Sequence, residues 1–159
     1  MVTAAAVTMA YDGDFMRRKR QDGNAVTNYL WDGAQVLIET DGGNTTAARY
    51  TLAPFGYGDL VAQRRSSATL FFHFDAIGTM RALTDSSQAV TDTAIYRAFG
   101  IRVASTGSST TPYRWVGKLG YATDARMDGH LLRRRWYWRN TGYDSRGRRA
   151  ETMRNRYYT

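Results

Sequence analysis

"YDGDFMRRKRQDGNAVTNYLWDGAQVLIETDGGN", residues 11–44, places Asp12-Gly13, Asp22-Gly23, Asp32-Gly33 and an Asp41-Gly42-Gly43-Asn44 cluster at a spacing of about ten residues. Turn signals at that spacing separate short strands in all-β architectures, and Asp-Gly tolerates the positive φ angles that tight hairpin turns demand. Four hairpin corners are thereby predicted. Between and after them, "NYLW", "AQVLIET" and "TTAARYTL" are rich in β-branched and aromatic residues and too short for amphipathic helices, so they read as strands.

Working outward, the pattern continues with looser turns. "GDLVAQRR" and "SATLFFHF" flank Arg65-Ser66-Ser67, "GTMRALTD" and "AVTDTAIYRAF" flank Asp85-Ser86-Ser87, and Gly100 and the polar "STGSSTT" interrupt the chain again. About ten strands are expected before residue 120. The two prolines, Pro54 and Pro112, fall in connections, where a missing backbone donor costs no ladder hydrogen bond. A longer period overlies the first: Tyr29, Tyr50, Phe74 and Tyr96 are separated by 21, 24 and 22 residues, one hairpin each. Such self-similarity marks a repeat architecture, in which each unit buries its apolar face only by stacking on its neighbours.

At 159 residues the chain has the size of one domain, and it contains no cysteine, which removes disulfides and thiolate chemistry. No apolar run approaches the roughly 18 to 20 residues of a membrane-spanning helix, and "MVTAAAVTMA" lacks the basic segment and long apolar core of a signal peptide. The net charge of +8 is localised. Residues 1–112 hold 10 Lys+Arg and 10 Asp+Glu, whereas residues 113–159 hold 12 and 4, a difference of 8.

Candidate chemistry is sparse. His73 and Asp75 stand two residues apart, a spacing that within a strand puts both side chains on one face, about 7 Å apart. No further His or carboxylate has ligand spacing, so the preferred reading is that Asp75 begins the turn to Gly78 and His73 pairs across strands beside Phe71, Phe72 and Phe74. His130 lies in a segment without a motif. Serines and threonines in "SSATL" and "STGSSTT" come without a Gly-x-Ser-x-Gly elbow, and "GYGDL" lacks the third glycine and the helix of a phosphate cradle. No catalytic, metal-binding or cofactor-binding residue is expected, and no cofactor.

The ordered segments "YDGDFMRRKR", "NYLWDGAQVLIETD", "ARYTLAPFG", "FFHFDAIGTMRALTD", "YRAFGIRVASTG" and "PYRWVGKLGY" resemble the closing core section of bacterial RHS, or YD-repeat, proteins. The residues that carry the likeness are Tyr29, Asp32 and Gly33; His73, Asp75, Gly78, Arg81, Leu83, Thr84 and Asp85; Tyr96, Phe99 and Gly100; Pro112 and Gly117. In "DGHLLRRRWYWRNTG" they continue with Arg133, Arg135 and Tyr137. Thr79 stands where the family often has Ser.

The resemblance implies antiparallel β-hairpins joined into one curved, twisted sheet, part of a shell that encloses or displays a C-terminal toxin or effector domain. The expected partners are neighbouring YD repeats or that effector, with self-association through open sheet edges. In the parent family the location is secreted or cell-surface. The family's aspartate-dependent self-cleavage element is not matched, because no Asp-Pro follows Gly142. The ends read as cut, as in a truncated or gene-fragment product. The expected organisation is an irregular lead over 1–10, an RHS core over 11–142 and an irregular basic tail over 143–159. An alternative function is nucleic-acid binding by that Arg- and aromatic-rich end, through Arg133-Arg134-Arg135, Arg146, Arg148, Arg149, Arg154 and Arg156 interleaved with Trp136, Tyr137, Trp138, Tyr157 and Tyr158. A solvated basic tail is preferred over it.

Overall fold

The structure is a computed structural model that describes residues 6–54, 59–138 and the backbone of 143–144. Ten strands follow one another as a meander: β1 (Val7–Tyr11), β2 (Arg17–Asp22), β3 (Ala25–Asp32), β4 (Gln35–Thr40), β5 (Thr46–Leu52), β6 (Leu60–Arg65), β7 (Ala68–Phe74), β8 (Met80–Thr84), β9 (Val90–Tyr96) and β10 (Arg102–Thr106). Each pairs antiparallel with its sequence neighbours in the order β1 to β10. A second, four-stranded antiparallel sheet comprises β11 (Ala122–Asp124), β12 (Gly129–Leu132), β13 (Arg135–Trp138) and β14 (Tyr143–Asp144). A 3-10 turn at Gly117–Leu119 precedes it.

This is the all-β hairpin strip that the turn spacing predicts, with two adjustments at its ends. Val7–Ala10, expected to be irregular, pair with Lys19–Asp22, because the Val-Thr-Met alternation continues the ladder. Tyr143 and Asp144, the first residues of the expected irregular tail, pair with Trp138 and Tyr137. The rest of that tail lies outside the described residues.

One turn design recurs five times. The first residue's amide donates to the carbonyl of the fifth and its carbonyl accepts from the fourth: Asp12 to Met16, Asp41 to Thr45, Asp75 to Thr79, Asp85 to Ala89 and Arg97 to Ile101. The fourth residue adopts positive φ in every case, at Phe15 (60°), Asn44 (63°), Gly78 (81°), Gln88 (69°) and Gly100 (83°). Where the first residue is Asp, its Oδ1 accepts the amides of the third and fifth residues, holding two donors that the turn would otherwise leave to water. Positive φ therefore falls at Phe15 and Asn44 and not at Gly13, Gly42 or Gly43, a difference from the simple Asp-Gly reading. In the two-residue hairpins the expectation holds, with Gly23 (60°) and Gly33 (55°) at the first loop position.

The strip is bent by bulges. One residue is skipped in the ladder at Arg18, Leu37, Ala47, Val61, Arg81, Thr91 and Val103. A bulge bends its strand and raises the local twist, so a recurring bulge curls the sheet. The extent is legible from two neighbouring side chains of β13. Trp136 Nε1 donates to Tyr11 OH of β1 (3.0 Å), and Tyr137 OH donates to the Phe99 carbonyl beside β10 (3.4 Å). In a flat sheet those two ends would lie about 40 Å apart; consecutive residues of one strand reach both.

The inner face carries Tyr29, Ala48, Tyr50, Leu70, Phe72, Met80, Leu83 and Ala94, packed with Tyr113, Ala122 and Leu131 from the C-terminal segment. The outer face leaves Leu30, Phe71 and Ile95 exposed. The aromatic period of one hairpin thus marks the covered face: Tyr29 and Tyr50 are buried in the core, and Phe74 and Tyr96 pack against it.

Gly100 combines positive φ with crowding, since an added Cβ would sit 2.6 Å from His130 Nε2 and 2.9 Å from Trp115 Cδ2, whereas one at Gly13 would meet nothing within 4 Å. Gly100→Ala is expected to destabilise by more than about 2 kcal/mol, and Gly13→Ala by less than about 0.5 kcal/mol. Urea unfolding of the two variants checks the ranking; equal midpoints would contradict it.

Candidate functional site: the strap across the inner face

After β10 the chain turns back and crosses the inner face as a strap, residues 107–121. Polar side chains set among the inward positions of the strands hold it there. On β9, Asp92 accepts the Ser109 amide (2.9 Å) and the Ser109 hydroxyl. Gln63 on β6 donates to the Thr110 carbonyl (3.0 Å), and Gln35 on β4 donates to the Lys118 carbonyl (3.3 Å). Backbone joins backbone as well: Met80 donates to Arg114, Lys118 to Gly78, and Thr123 to Pro112. The Lys118 ammonium pairs with Asp59 (3.1 Å). The contacts of Asp92, Gln63 and Gln35 satisfy buried polar side chains that would otherwise each cost about 1–3 kcal/mol, whereas the Lys118–Asp59 pair lies toward solvent.

Aromatic packing supplies the rest. Tyr113 sets its ring edge-on to Tyr50, with centroids 4.9 Å apart. Trp115 lies 4.7 Å from the His130 ring and 5.4 Å from that of Tyr137, against the glycine-only gap at Gly100. The small sheet is tied to the opposite end of the strip by ion pairs from Arg20 to Asp124 (2.7 Å) and from Arg126 to Asp22 (3.0 Å). Deeper in, Glu39 accepts from Tyr50 OH (2.7 Å) and Arg65 (2.7 Å).

The family-motif residues distribute over this scaffold. Asp75 holds its turn and pairs with the bulged Arg81 (3.5 Å), while His73 meets the Thr84 hydroxyl (3.0 Å) on the outer face. His73 and Asp75 therefore have separate partners, because the chain leaves the strand at Phe74. Asp32 and Gly33 make the β3–β4 corner, and Asp85 the β8–β9 turn. Tyr29, Leu83 and Tyr137 are buried, and Tyr96 packs on the core. Gly78 and Gly117 admit Lys118 and Tyr113 at close approach. Arg133 donates to the Leu119 carbonyl (3.2 Å), and Arg135 pairs with Leu132 in the ladder.

Gln35, Gln63, Asp92 and Glu39 did not stand out in the sequence as functional residues, although a polar residue at the inward parity of an apolar strand was the available signal. His130, without a motif, is fully buried, with Nδ1 against the Thr123 hydroxyl (3.0 Å).

Electrostatics follow the contacts. Burial first, and then the Glu39 charge, push the Tyr50 and Tyr113 phenols well above their ordinary range. For Asp92, burial opposes ionisation, but the hydrogen bonds from Ser109 and Thr91 and the charge of Arg114 together outweigh it and hold the carboxyl below its usual 3.8. Asp124 behaves alike: burial raises it, and Arg20 together with the Arg126 and Met127 amides lowers it by more.

A curled, bulged meander with Asp-capped turns and a strap-covered inner face agrees with the RHS, or YD-repeat, fold that the sequence resembles, and the similar proteins support a repeat segment of that kind. No family profile matches the chain. It is 30% identical over 135 residues to the tRNA3(Ser)-specific nuclease WapA of Bacillus spizizenii, and 29% over 132 residues to the tRNA nuclease WapA of Bacillus subtilis. Each match covers 82% of this chain and 6% of the relative, so the chain spans a small part of those proteins. Among solved structures it is similar to the Photorhabdus luminescens Tc holotoxin pore with mutated TccC3 (TM-score 0.61, 13% identity, 91% of this chain and 8% of that one). It is also similar to the TcdB2-TccC3-TEV crystal structure (TM-score 0.63, 14% identity, 88% and 8%). These likenesses establish the fold.

The strap's first anchor has an acid limit. Because folding lowers the Asp92 and Asp124 pKa values, their stabilisation is complete well above 3.8 and is lost as the pH falls through the lower folded values. The Ser109 amide resonance is expected to titrate with a midpoint below 3.8 and to lose that titration in Asp92→Asn; a midpoint at or above 3.8 would contradict the clasp.

Proposed function

We propose that this chain is a wall segment of a YD-repeat shell that encloses or displays a toxin or effector polypeptide, and that it performs no chemistry itself. The observation that carries the reading is the asymmetry of the strip. Its inner face is largely covered by the strap and small sheet, while its outermost strands, β1 and β10, each pair on one side only among the described residues. Every residue of β10 is exposed. An open strand edge is a template for a further strand, which suits a sheet continued by neighbouring repeats. The nuclease activities named for the Bacillus relatives belong to proteins of which this chain matches 6%, and we assign them to other parts of those proteins. A secreted or cell-surface setting, as in the parent family, belongs to the same proposal; no described helix is long and apolar enough to cross a membrane.

The nucleic-acid alternative is weakened by where its residues lie. Tyr137 is buried, Trp136 and Trp138 stack on each other at 5.6 Å, and Arg133 is bound to the strap. Arg146 through Tyr158 fall outside the described residues.

Exchanged for the matching stretch of the Bacillus subtilis relative, with a reporter polypeptide appended, the chain is expected to slow proteolysis of the reporter. Cleavage at the rate of free reporter would contradict enclosure. The chain alone is expected to self-associate with rising concentration on size exclusion, and Ile101→Lys with Val103→Lys at the open edge to reduce that association without altering strand content. A monomer at every concentration would contradict edge pairing.

A further inference from the structure

We propose that the cleft over Arg17 is a binding site for a carboxylate group. Arg17 is 5% exposed, and its guanidinium lies 4.4 Å from the centre of the Tyr29 ring. Its Nε has no acceptor, and no described carboxylate lies within ion-pair distance of it. Buried arginines are ordinarily paired or fully hydrogen-bonded, because an unaccompanied charge removed from water is costly. This one faces a cleft of about 410 Å³ between β2–β6 and the strap.

The charges around the cleft define the missing partner. Arg20 and Arg126 are matched by Asp22 and Asp124, and Arg65 by Glu39, so one positive charge, that of Arg17, is left over. A single negative charge completes the set. A planar guanidinium fork offers two parallel N–H donors, which a carboxylate accepts side by side. A phosphate dianion would bring a second charge against Glu39 and Asp124, which are already committed to their own cations. Thr27 and Thr110 line the cleft on its two walls. The Tyr29 face beneath fixes the plane of the guanidinium by cation–π contact. The ligand class is therefore a monocarboxylate, either free or on the acidic side chain of an entering polypeptide.

The test is a titration of the arginine Nε–H resonances of the whole chain at constant ionic strength, with the Arg17 signal assigned by its loss in Arg17→Lys. Sodium acetate is exchanged for sodium chloride, and, in parallel, an acetylated, amidated Ala-Glu-Ala peptide and its Ala-Gln-Ala counterpart are added. A saturable shift of the Arg17 signal with acetate and the Glu peptide, absent with the Gln peptide, is expected. Tighter binding of the Glu peptide than of acetate identifies a polypeptide as the source; equal binding identifies a free carboxylate. Shifts that do not saturate, or that are the same for chloride and acetate, would show a merely hydrated guanidinium and overturn the proposal. Saturation by inorganic phosphate but not by acetate would overturn it equally. If the Arg17→Lys chain folds poorly, the Arg17 signal is assigned instead by its nuclear Overhauser contacts to the Tyr29 ring, and the titration is still read on the unmodified protein.

Discussion

Asp92 receives both the amide and the hydroxyl of Ser109, and from that clasp the strap begins its return across the inner face. A single-layer meander of ten strands has two faces and no helix of its own to cover either, so its apolar side chains remain wet unless another piece of chain lies over them. The strap is that piece. Its course is set by polar hooks on successive strands, Asp92, Gln63 and Gln35, and its weight of contact comes from Tyr113, Trp115 and then Leu131 and Tyr137 of the small sheet.

Coverage and curvature depend on each other. Bulges at one position after another curl the strip until Tyr11 and Phe99, at its two ends, both come within reach of β13. Without that curl the small sheet would touch only one end. Without the small sheet the curled strip would enclose an apolar hollow. The outcome is a sheet with one covered face and, among the described residues, two edge strands paired on one side only, which suits the proposed place in a larger shell and is what an independent globular domain ordinarily avoids.

The strand count and most corners were legible because they depend on local chemistry: Asp beside Gly or Ser, β-branched runs, and prolines kept out of ladders. The aromatic period at Tyr29, Tyr50, Phe74 and Tyr96 likewise marked the covered face. The second sheet was not legible, because β11 through β14 are two to four residues long and Arg133-Arg134-Arg135 reads as a charge run until Trp136 and Tyr137 are seen to face the core. His130 escaped notice for a related reason: its role comes from Gly100, thirty residues away, whose missing side chain makes room for it. Nor could spacing separate His73 from Asp75, since the strand ends between them at a point fixed by the turn hydrogen bonds and not by composition.

Amide hydrogen exchange near neutral pH tests most directly whether strap and strip form one cooperative unit. The amides of Met80, Lys118 and Thr123, whose acceptors are Arg114, Gly78 and Pro112, are predicted to exchange with the same protection as core amides such as those of Ala48 and Leu83. Protection at Ala48 and Leu83 that survives while Met80, Lys118 and Thr123 exchange orders of magnitude faster would mean that the strap docks only in passing, and would contradict a sheet whose inner face is covered by its own chain.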